Sequence, residues 1–224
     1  MERWDAHGNV YLVGEPFGAT PRRVRELVGD ADGILEVSPA GEVTIWNPDG
    51  SRAGMSGNGT RIAAAWLAAR TGAEEVTVVT EGRRVRVRAL GDGLWEQEVG
   101  EVTVGAADEV QGVRFVPVDV GNPHAVVAGD PAELPRIGPL LETHPRFPSR
   151  TNVQVARVEG PGRIRARVWE RGAGETASSG SSAVAIAAAL GGDGETAVEF
   201  PGGELRVRIE NGRAVLIGPA VRVV

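Results

Sequence analysis

The spacing of apolar residues along the chain alternates between the short period of strands and the longer period of helices. Apolar runs bounded by turn residues predict strands at residues 11–13, 34–37, 113–120, 125–127 and 153–158. Thr20 followed by Pro21 predicts the start of a helix that ends at Gly29. A further helix is predicted over residues 134–142. This mixture indicates a protein built from both strands and helices.

One stretch of the chain occurs twice. The two copies cover residues 43–69 and 166–190. When Trp46 is aligned with Trp169, Ser56 falls on Ser179 without a gap. Each copy predicts a short strand, a Gly-rich turn, and a Ser-Gly pair that opens an alanine-rich helix. Such a duplication predicts two pseudo-symmetric halves.

The length of 224 residues allows two domains of about 110 residues, each large enough to bury a core. A predicted hairpin follows each copy of the repeat, at residues 76–88 and 196–208. The border is expected near Gln111-Gly112, with an N-terminal half at 1–112 and a C-terminal half at 113–213. The tail, 214–224, predicts a strand broken at Gly218-Pro219 that joins the N-terminal half.

The two Ser-Gly pairs point to a binding site for an anion. The first turn of a helix has backbone N–H groups without intrahelical acceptors and a positive dipole potential. Both favour a carboxylate or another anion. The repeat therefore predicts a carboxylate held by two helix starts, with one reactive side chain on either side of it.

The composition limits which partners and which cellular compartment are expected for the protein. The formal net charge of −6 argues against nucleic acid. No apolar run approaches the roughly 18 residues that span a membrane, so no membrane partner is expected. The first residues lack the pattern of a secretion signal, and the expected compartment is the cytoplasm.

Two residue types are absent, and each absence excludes a chemistry. All 24 basic residues are arginine, so no lysine can form a Schiff base with pyridoxal phosphate. There is no cysteine for thiolate or zinc–thiolate chemistry. The three histidines are widely separated, and no metal site is predicted. We expect no cofactor.

A set of short motifs spread over the whole chain resembles one family. In order they are Gly8-Asn9, Ala31-Asp32-Gly33, Asn47-Pro48-Asp49-Gly50-Ser51, Met55-Ser56-Gly57-Asn58-Gly59-Thr60-Arg61, Gly121-Asn122-Pro123-His124, Thr151-Asn152-Val153 and Glu170-Arg171-Gly172-Ala173-Gly174-Glu175-Thr176. Together they resemble diaminopimelate epimerase. The resemblance implies an α+β fold of two mixed domains, each a β-barrel-like sheet around a central helix, with the active site in the cleft between them.

The resemblance also implies an activity, namely cofactor-free interconversion of LL- and meso-diaminopimelate on the route to lysine and cell wall. In the family, a cysteine thiolate removes the α-proton and a second cysteine returns a proton on the opposite face. These cysteines fall at Ser56 and Ser179, so both are missing here. A small-molecule amino acid is the expected partner, and a homodimer is left open.

The exchange of thiol for hydroxyl has a large energetic effect. A thiol titrates at about 8.5 and a serine hydroxyl closer to water, at about 15.7. A gap of roughly 7 units corresponds to about 10 kcal/mol, whereas a helix dipole offsets about 2 kcal/mol at most. A serine acting as base therefore needs a base of its own, and the resemblance makes His124 and Glu170 the candidates.

The remaining site residues are expected to bind the substrate. Backbone N–H groups of Gly57, Asn58, Gly180 and Ser181 would hold the α-carboxylate. The side chains of Asn9, Asn47, Asn122, Asn152 and Arg171 would hold the distal groups, with Arg171 clamping a carboxylate and Glu170 taking an ammonium or orienting a ligand. Each residue also has a structural interpretation: the serines as helix caps, the asparagines as turn formers, Glu170-Arg171 as a surface ion pair, and His124 as a core histidine.

Three explanations for the paired serines remain open. The chain is a naturally divergent family member, an enzyme whose cysteines were replaced experimentally, or an enzyme with slow or different proton chemistry such as one-sided exchange or dehydration. Ile62, Ala125 and Val184 stand where relatives often carry further cysteines, which favours natural divergence. The activity expected is a weak or altered 1,1-proton transfer at Cα. The alternatives are a silent amino-acid-binding homologue and an isomerase or dehydratase of another amino acid.

Overall fold

The computed structural model of the protein describes residues 1–54 and 56–223. Met55, the first residue of one motif quoted above, and Val224, the last residue of the predicted tail strand, lie outside the described residues. The strands, in chain order, are β1 Glu2–Ala6, β2 Asn9–Gly14, β3 Gly33–Val37, β4 Val43–Trp46, β5 Arg52–Ala53, β6 Glu75–Thr80, β7 Arg83–Gly91, β8 Leu94–Glu101, β9 Thr103–Val104, β10 Asp108–Val110, β11 Val113–Asp119, β12 Pro123–Ala128, β13 Asn152–Gly160, β14 Arg163–Glu170, β15 Gly174–Thr176, β16 Gly194–Phe200, β17 Gly203–Glu210, β18 Arg213–Pro219 and β19 Val221–Val223.

The α-helices are α1 Pro21–Leu27, α2 Gly57–Thr71, α3 Leu134–Glu142 and α4 Gly180–Ile186. A 3-10 turn, Pro131–Glu133, precedes α3, and a π-helical segment, Ala187–Gly191, continues α4. The predicted α3 is confirmed at both ends. The predicted α1 is confirmed as well, because the Thr20 side chain accepts the Arg23 N–H and Pro21 occupies the first turn.

The chain divides into two compact units. Unit 1 contains Met1–Glu98 and the C-terminal residues from Ile217 onward, and unit 2 is Val99–Leu216. The chain thus passes from unit 1 to unit 2 after Glu98, before the expected border at Gln111-Gly112. That expected border lies in the turn that joins β10 to β11. The reason is packing: Val99 and Val102 contact the hydrophobic core of unit 2, and β9 and β10 pair with β11.

In unit 1, two sets of strands surround α2. One is a sheet with the strand order β19-β1-β2-β3-β4-β5, and the other is the antiparallel set β6-β7-β8. Most of α2 is buried on every side, because its run of alanines lets the strands approach closely while Ile62, Trp66 and Leu67 fill the core. The helix ends at Gly72, whose left-handed φ of 73° suits glycine. Helix α1 covers another face of this sheet through Val24 and Val28.

In unit 2, the strand order is β10-β11-β12-β13-β14-β16-β17-β18. Helix α4 packs into one hydrophobic core and α3 into another, the latter through Leu134, Ile137 and Leu141. Strands β12 and β13 run parallel with α3 between them in the chain, and β14 and β16 run parallel with α4 between them. Mixed sheets with helices packed on them confirm the expected α+β fold.

The repeat read from the sequence is present in the structure. Strands β4 and β5 precede α2, and strands β14 and β15 precede α4 in the same order. Each copy continues into a hairpin, β6–β7 and β16–β17, as predicted. The tail strand is interrupted one or two residues later than the predicted break at Gly218-Pro219. Strand β18 runs through Pro219, and the break falls at Ala220, whose N–H donates to the Gly93 carbonyl.

Candidate functional site

Ser56 in unit 1 is the N-cap of α2. Its backbone is extended, at φ −143° and ψ 120°, and its Oγ accepts the Gly59 N–H at 3.0 Å. The Tyr11 hydroxyl donates to the same Oγ at 3.4 Å. A Cβ on Gly59 would lie 3.2 Å from the Ser56 Oγ, so glycine keeps this turn open. The contacts of the Ser56 side chain are therefore those of a helix cap.

Gly57 and Asn58 are the first two residues of α2, and their backbone N–H groups have no partner within the helix. The Asn58 Oδ1 accepts the Arg61 Nη2–H at 2.6 Å. Arg61 is fully buried and also donates to the carbonyls of Gly57 and Pro219. Burial lowers the pKa of Arg61 to about 10, so its guanidinium still carries its charge at neutral pH.

The other two asparagines expected to bind substrate in unit 1 lie at strand ends. Asn47 follows β4, and its Nδ2 donates to the Ser51 Oγ at 2.9 Å. Its backbone N–H donates to the Ser51 carbonyl, which closes the turn between β4 and β5. Asn9 is half-buried at the start of β2, where it pairs with Ala6 of β1.

Ser179 in unit 2 has nearly the same backbone conformation as Ser56, at φ −148° and ψ 126°. Within the described residues its side chain makes no capping hydrogen bond to α4. Ser179 lies near the Glu170 carboxylate and lowers the pKa of that group. The Thr176 Oγ1 donates to the Glu170 Oε1 at 2.7 Å. Burial raises the pKa of Glu170, and the two hydroxyl donors offset only part of that effect.

Two further predicted residues lie where α4 begins, namely Gly180 and Ser181. Gly180 is buried and Ser181 half-buried as the first two residues of the helix. The π-helical segment extends the helical stretch through Gly191. This start matches that of α2 residue by residue, with Gly180 in the place of Gly57 and Ser181 in the place of Asn58.

His124 lies on β12 within a buried hydrogen-bond chain. The Gln154 Nε2 contacts the His124 Nδ1 at 2.9 Å and donates to the Ser182 Oγ at 2.9 Å. The His124 Nε2 contacts the Asn122 Oδ1 at 3.0 Å, which assigns the ring proton to Nε2. Burial lowers the pKa of His124 to about 3. The imidazole is therefore neutral, with both ring nitrogens in use.

Asn152 and Arg171 meet at the turn that follows β14. The Asn152 Oδ1 accepts the Arg171 N–H at 3.0 Å, and its Nδ2 donates to the Pro123 carbonyl at 3.0 Å. The Arg171 Nη1 donates to the Ser149 carbonyl, and the side chain is exposed. Asn152 thus positions the turn that carries Arg171.

Curated relatives cover nearly the whole chain. The chain is 36% identical to the diaminopimelate epimerase of Desulforudis audaxviator, over 96% of this chain and 94% of that protein. It is 41% identical to the diaminopimelate epimerase of Xanthomonas campestris, over 80% of this chain and 73% of that protein. The chain belongs to the diaminopimelate epimerase family. The family's sequence model matches residues 116–223.

Solved structures share the fold at low sequence identity. The phenazine biosynthesis protein of the PhzF family from Bacillus anthracis superposes with a TM-score of 0.75 at 13% identity, over 100% of this chain and 96% of that chain. A hydroxyproline epimerase from Agrobacterium vitis superposes with a TM-score of 0.66 at 16% identity, over 99% of this chain and 88% of that chain. These similarities support the fold of the diaminopimelate epimerase family in this chain.

Several polar residues around the family motifs were missed by the sequence analysis, because only the fold brings them there. The indole N–H of Trp46 donates to the Glu36 Oε2 at 2.8 Å, and that of Trp169 donates to the Glu142 Oε2 at 2.8 Å. Glu142 also accepts the Gly172 N–H at 2.7 Å, next to the predicted Arg171. The alignment of Trp46 with Trp169 in the repeat could have indicated these contacts, because in each copy the indole donates to a buried glutamate.

Neither a cluster of metal ligands nor a membrane-spanning helix is present in the described residues. No three His, Asp or Glu side chains in residues 1–54 and 56–223 are grouped as metal ligands. Across the same ranges, no helix has the length and apolar character needed to cross a membrane.

Proposed function

We propose that this chain catalyses a slow, cofactor-independent 1,1-proton transfer at the α-carbon of diaminopimelate or a similar amino acid. The observation that carries the proposal is the pair of serine-headed helix starts, Ser56 before α2 and Ser179 before α4, with matching backbone angles. Membership of the diaminopimelate epimerase family supports the substrate class. The serines occupy the acid and base positions of the reaction.

Backbone and side-chain donors supply the binding part of the proposal. The N–H groups of Gly57, Asn58, Gly180 and Ser181 hold the α-carboxylate, whose charge grows as the α-proton leaves. Arg171 holds a distal carboxylate through its exposed guanidinium. The amides of Asn9, Asn47, Asn122 and Asn152 hold the distal groups. Those of Asn47, Asn122 and Asn152 already bond within the protein, so substrate binding must exchange these bonds.

The rate is limited by the serines. When the Cα–H bond breaks, its electron pair passes into the carboxylate, and the proton must go to a base. A serine hydroxyl can take that proton only as it loses its own to a second group. On the other face, a hydroxyl that donates its proton becomes an alkoxide. With thiols, neither step carries the penalty of about 10 kcal/mol estimated from the difference in pKa.

The test follows the α-hydrogen of LL-diaminopimelate in D₂O by NMR. Replacement of hydrogen by deuterium together with formation of the meso isomer supports the proposal. A matched double variant, S56A with S179A, serves as the background because it removes both hydroxyls. An identical rate in the native chain and in this variant would contradict the proposed function.

A second candidate is an amino-acid-binding protein that has kept the fold without the chemistry. The observation that favours it is the use of the candidate groups in structural hydrogen bonds: Ser56 caps α2, and His124 has both ring nitrogens bonded. Calorimetric binding of diaminopimelate without any deuterium incorporation would support this candidate over the enzyme.

A further inference from the structure

Glu142 is a buried carboxylate at the C-terminal end of α3, with 5% of its surface exposed. Its Oε1 accepts the Gly172 N–H at 2.7 Å and a guanidinium N–H of Arg150, and its Oε2 accepts the Trp169 indole N–H at 2.8 Å. Burial raises the pKa of Glu142, but the three donors together outweigh burial and lower that pKa below its usual range. The side chain is therefore a charged acceptor that joins three segments of unit 2.

The Gly172 N–H belongs to the turn that carries Arg171. Two consecutive backbone N–H groups of this turn have side-chain acceptors: that of Arg171 donates to the Asn152 Oδ1 at 3.0 Å, and that of Gly172 donates to Glu142. Gly172 has a left-handed φ of 83°, a conformation that suits glycine. The Arg171 guanidinium therefore extends from a turn whose backbone is held at two successive residues.

Glu142 also holds the segment that contacts the Arg171 guanidinium. The Arg171 Nη1 donates to the Ser149 carbonyl at 3.1 Å. Ser149 directly precedes Arg150, which forms an ion pair with the Glu142 carboxylate. The Thr151 N–H donates to the backbone carbonyl of Glu142 at 3.3 Å. One residue thus fixes both the turn that carries Arg171 and the segment that orients its side chain.

The first copy of the repeat uses its buried glutamate differently. Trp46 donates its indole N–H to the Glu36 Oε2 at 2.8 Å, but the Oε1 of that glutamate accepts two backbone N–H groups of the loop before α1. The turn after Trp46 is closed by its own residues, because the Asn47 N–H donates to the Ser51 carbonyl at 2.9 Å. Within residues 1–54 and 56–223, the bond from Glu142 to a turn of the repeat is therefore a feature of unit 2.

We propose that Glu142 is a positioning residue for recognition of the substrate's second carboxylate, because it holds Arg171 where the guanidinium pairs with that group. The proposal rests on the proposed function, in which Arg171 takes the distal carboxylate, and it names a residue that determines specificity. A guanidinium held in advance loses little freedom on pairing, whereas a mobile side chain must first be ordered. Loss of Glu142 should therefore weaken binding of dicarboxylic amino acids more than binding of monocarboxylic ones.

Two probes that differ in one group test the proposal. L-Lysine matches LL-diaminopimelate except that hydrogen replaces the second carboxylate. The dissociation constants of both are measured by calorimetry for the native chain and for E142Q. Glutamine keeps the size of the side chain, but its NH₂ group cannot accept a hydrogen bond, so at least one donor loses its acceptor. We expect E142Q to weaken binding of LL-diaminopimelate about tenfold or more, and binding of L-lysine less than about threefold.

The outcomes separate this proposal from the proposed function. If the native chain prefers LL-diaminopimelate and E142Q keeps the native ratio of the two dissociation constants, the positioning role is overturned and the proposed function stands. If the native chain binds both probes equally, or binds neither, the assignment of Arg171 to a distal carboxylate fails and both proposals are overturned.

Glu36→Gln is the matched control. Glu36 is also buried, at 8% exposed, and it accepts an indole N–H and two backbone N–H groups. The variant thus removes the same kind of carboxylate from unit 1 and is expected to keep the native ratio of dissociation constants. A fall in this ratio as large as that in E142Q would mean that loss of any buried carboxylate lowers the preference, and would overturn the proposal.

A double variant tests whether Glu142 acts through Arg171. In the R171A background, E142Q should cause no further loss of affinity for LL-diaminopimelate, because the group to be positioned is already absent. A further loss as large as that in the native background would contradict the proposal.

If E142Q does not fold, Arg150→Met takes its place. The Arg150 side chain is about half exposed, and methionine keeps its apolar stem without the donor that ties the segment after Ser149 to Glu142. The preference for LL-diaminopimelate over L-lysine should fall at least about threefold. A native preference in this variant would then overturn the proposal.

Discussion

Ser56 and Ser179 differ in φ and ψ by only a few degrees, yet within the described residues the Ser56 hydroxyl caps its helix whereas the Ser179 hydroxyl makes no bond to the helix it precedes. The backbone at both positions follows from the duplicated sequence. The partners differ because Tyr11 lies beside one serine and Glu170 beside the other. Matching helix starts in the two units therefore do not imply matching side-chain contacts.

Restoring both thiols should raise the rate of epimerisation. In the double variant S56C with S179C, each hydroxyl is replaced by a group whose pKa is lower by roughly 7 units, so both proton transfers become easier. We expect formation of meso-diaminopimelate to rise at least about 100-fold over the native chain, as measured by NMR. The single variants are the matched controls and should gain less, because inversion needs a group on each face. An unchanged rate in the double variant would mean that the binding groups have diverged as well.

The burial of His124 should make the fold sensitive to acid. Burial lowers its pKa to about 3, whereas in the unfolded chain it titrates at about 6.5. Between these values the unfolded state binds a proton that the folded state does not, so stability falls as the pH is lowered. At about pH 5 the loss from this group is about 2 kcal/mol.

Urea unfolding of the native chain and of His124→Gln, at neutral pH and at about pH 5, measures this contribution. The variant should lose less stability on acidification, by about 2 kcal/mol. His144→Gln is the control, because His144 lies near the surface with its Nδ1 accepting the Arg146 N–H. The same acid sensitivity in the native chain and in His124→Gln would contradict the assignment.

Arg61 should be sensitive to a conservative replacement. Its guanidinium reaches the Asn58 Oδ1 and the carbonyls of Gly57 and Pro219, and a lysine ammonium cannot match that fork. We expect R61K to lower the free energy of unfolding by about 1–3 kcal/mol, because buried acceptors lose their donors. R84K on the exposed side of β7 is the control and should change stability by less than about 0.5 kcal/mol. Equal stabilities of the two variants would refute this role.

The two tryptophans of the repeat should contribute to stability in the same way. Replacing Trp46 or Trp169 with phenylalanine keeps an aromatic ring but leaves a carboxylate oxygen of Glu36 or Glu142 without its indole donor. Each variant should lose about 1–3 kcal/mol in the free energy of unfolding, measured by denaturant titration. A variant with native stability would indicate that the carboxylate has found another donor.

Trp95→Phe is the comparison for these variants. The Trp95 indole donates to the Ala220 carbonyl at 3.2 Å, which is a bond between neutral groups. Its loss should cost less than loss of a bond to a carboxylate, at about 1 kcal/mol.

Local sequence was enough for most of the elements. Thr20 and Pro21 specify the start of α1, and the apolar spacing of residues 134–142 specifies α3, because capping and amphipathic periodicity act over a few residues. The paired Ser-Gly starts and the following hairpins were equally visible. The division at Glu98 was not, because it depends on Val99 and Val102 packing on strands far along the chain.

The sequence by itself determined the duplication, the elements of each copy, the family, and the absence of cysteine. These features depend on residue identity and on neighbours a few positions away. Tertiary structure alone decided that the Ser56 Oγ contacts the Tyr11 hydroxyl, that the Ser179 side chain makes no cap bond to α4 within the described residues, and that His124 is buried and neutral. Hydrogen-bond partners and burial depend on which distant segments the fold brings together, and a hydroxyl takes its role from those partners.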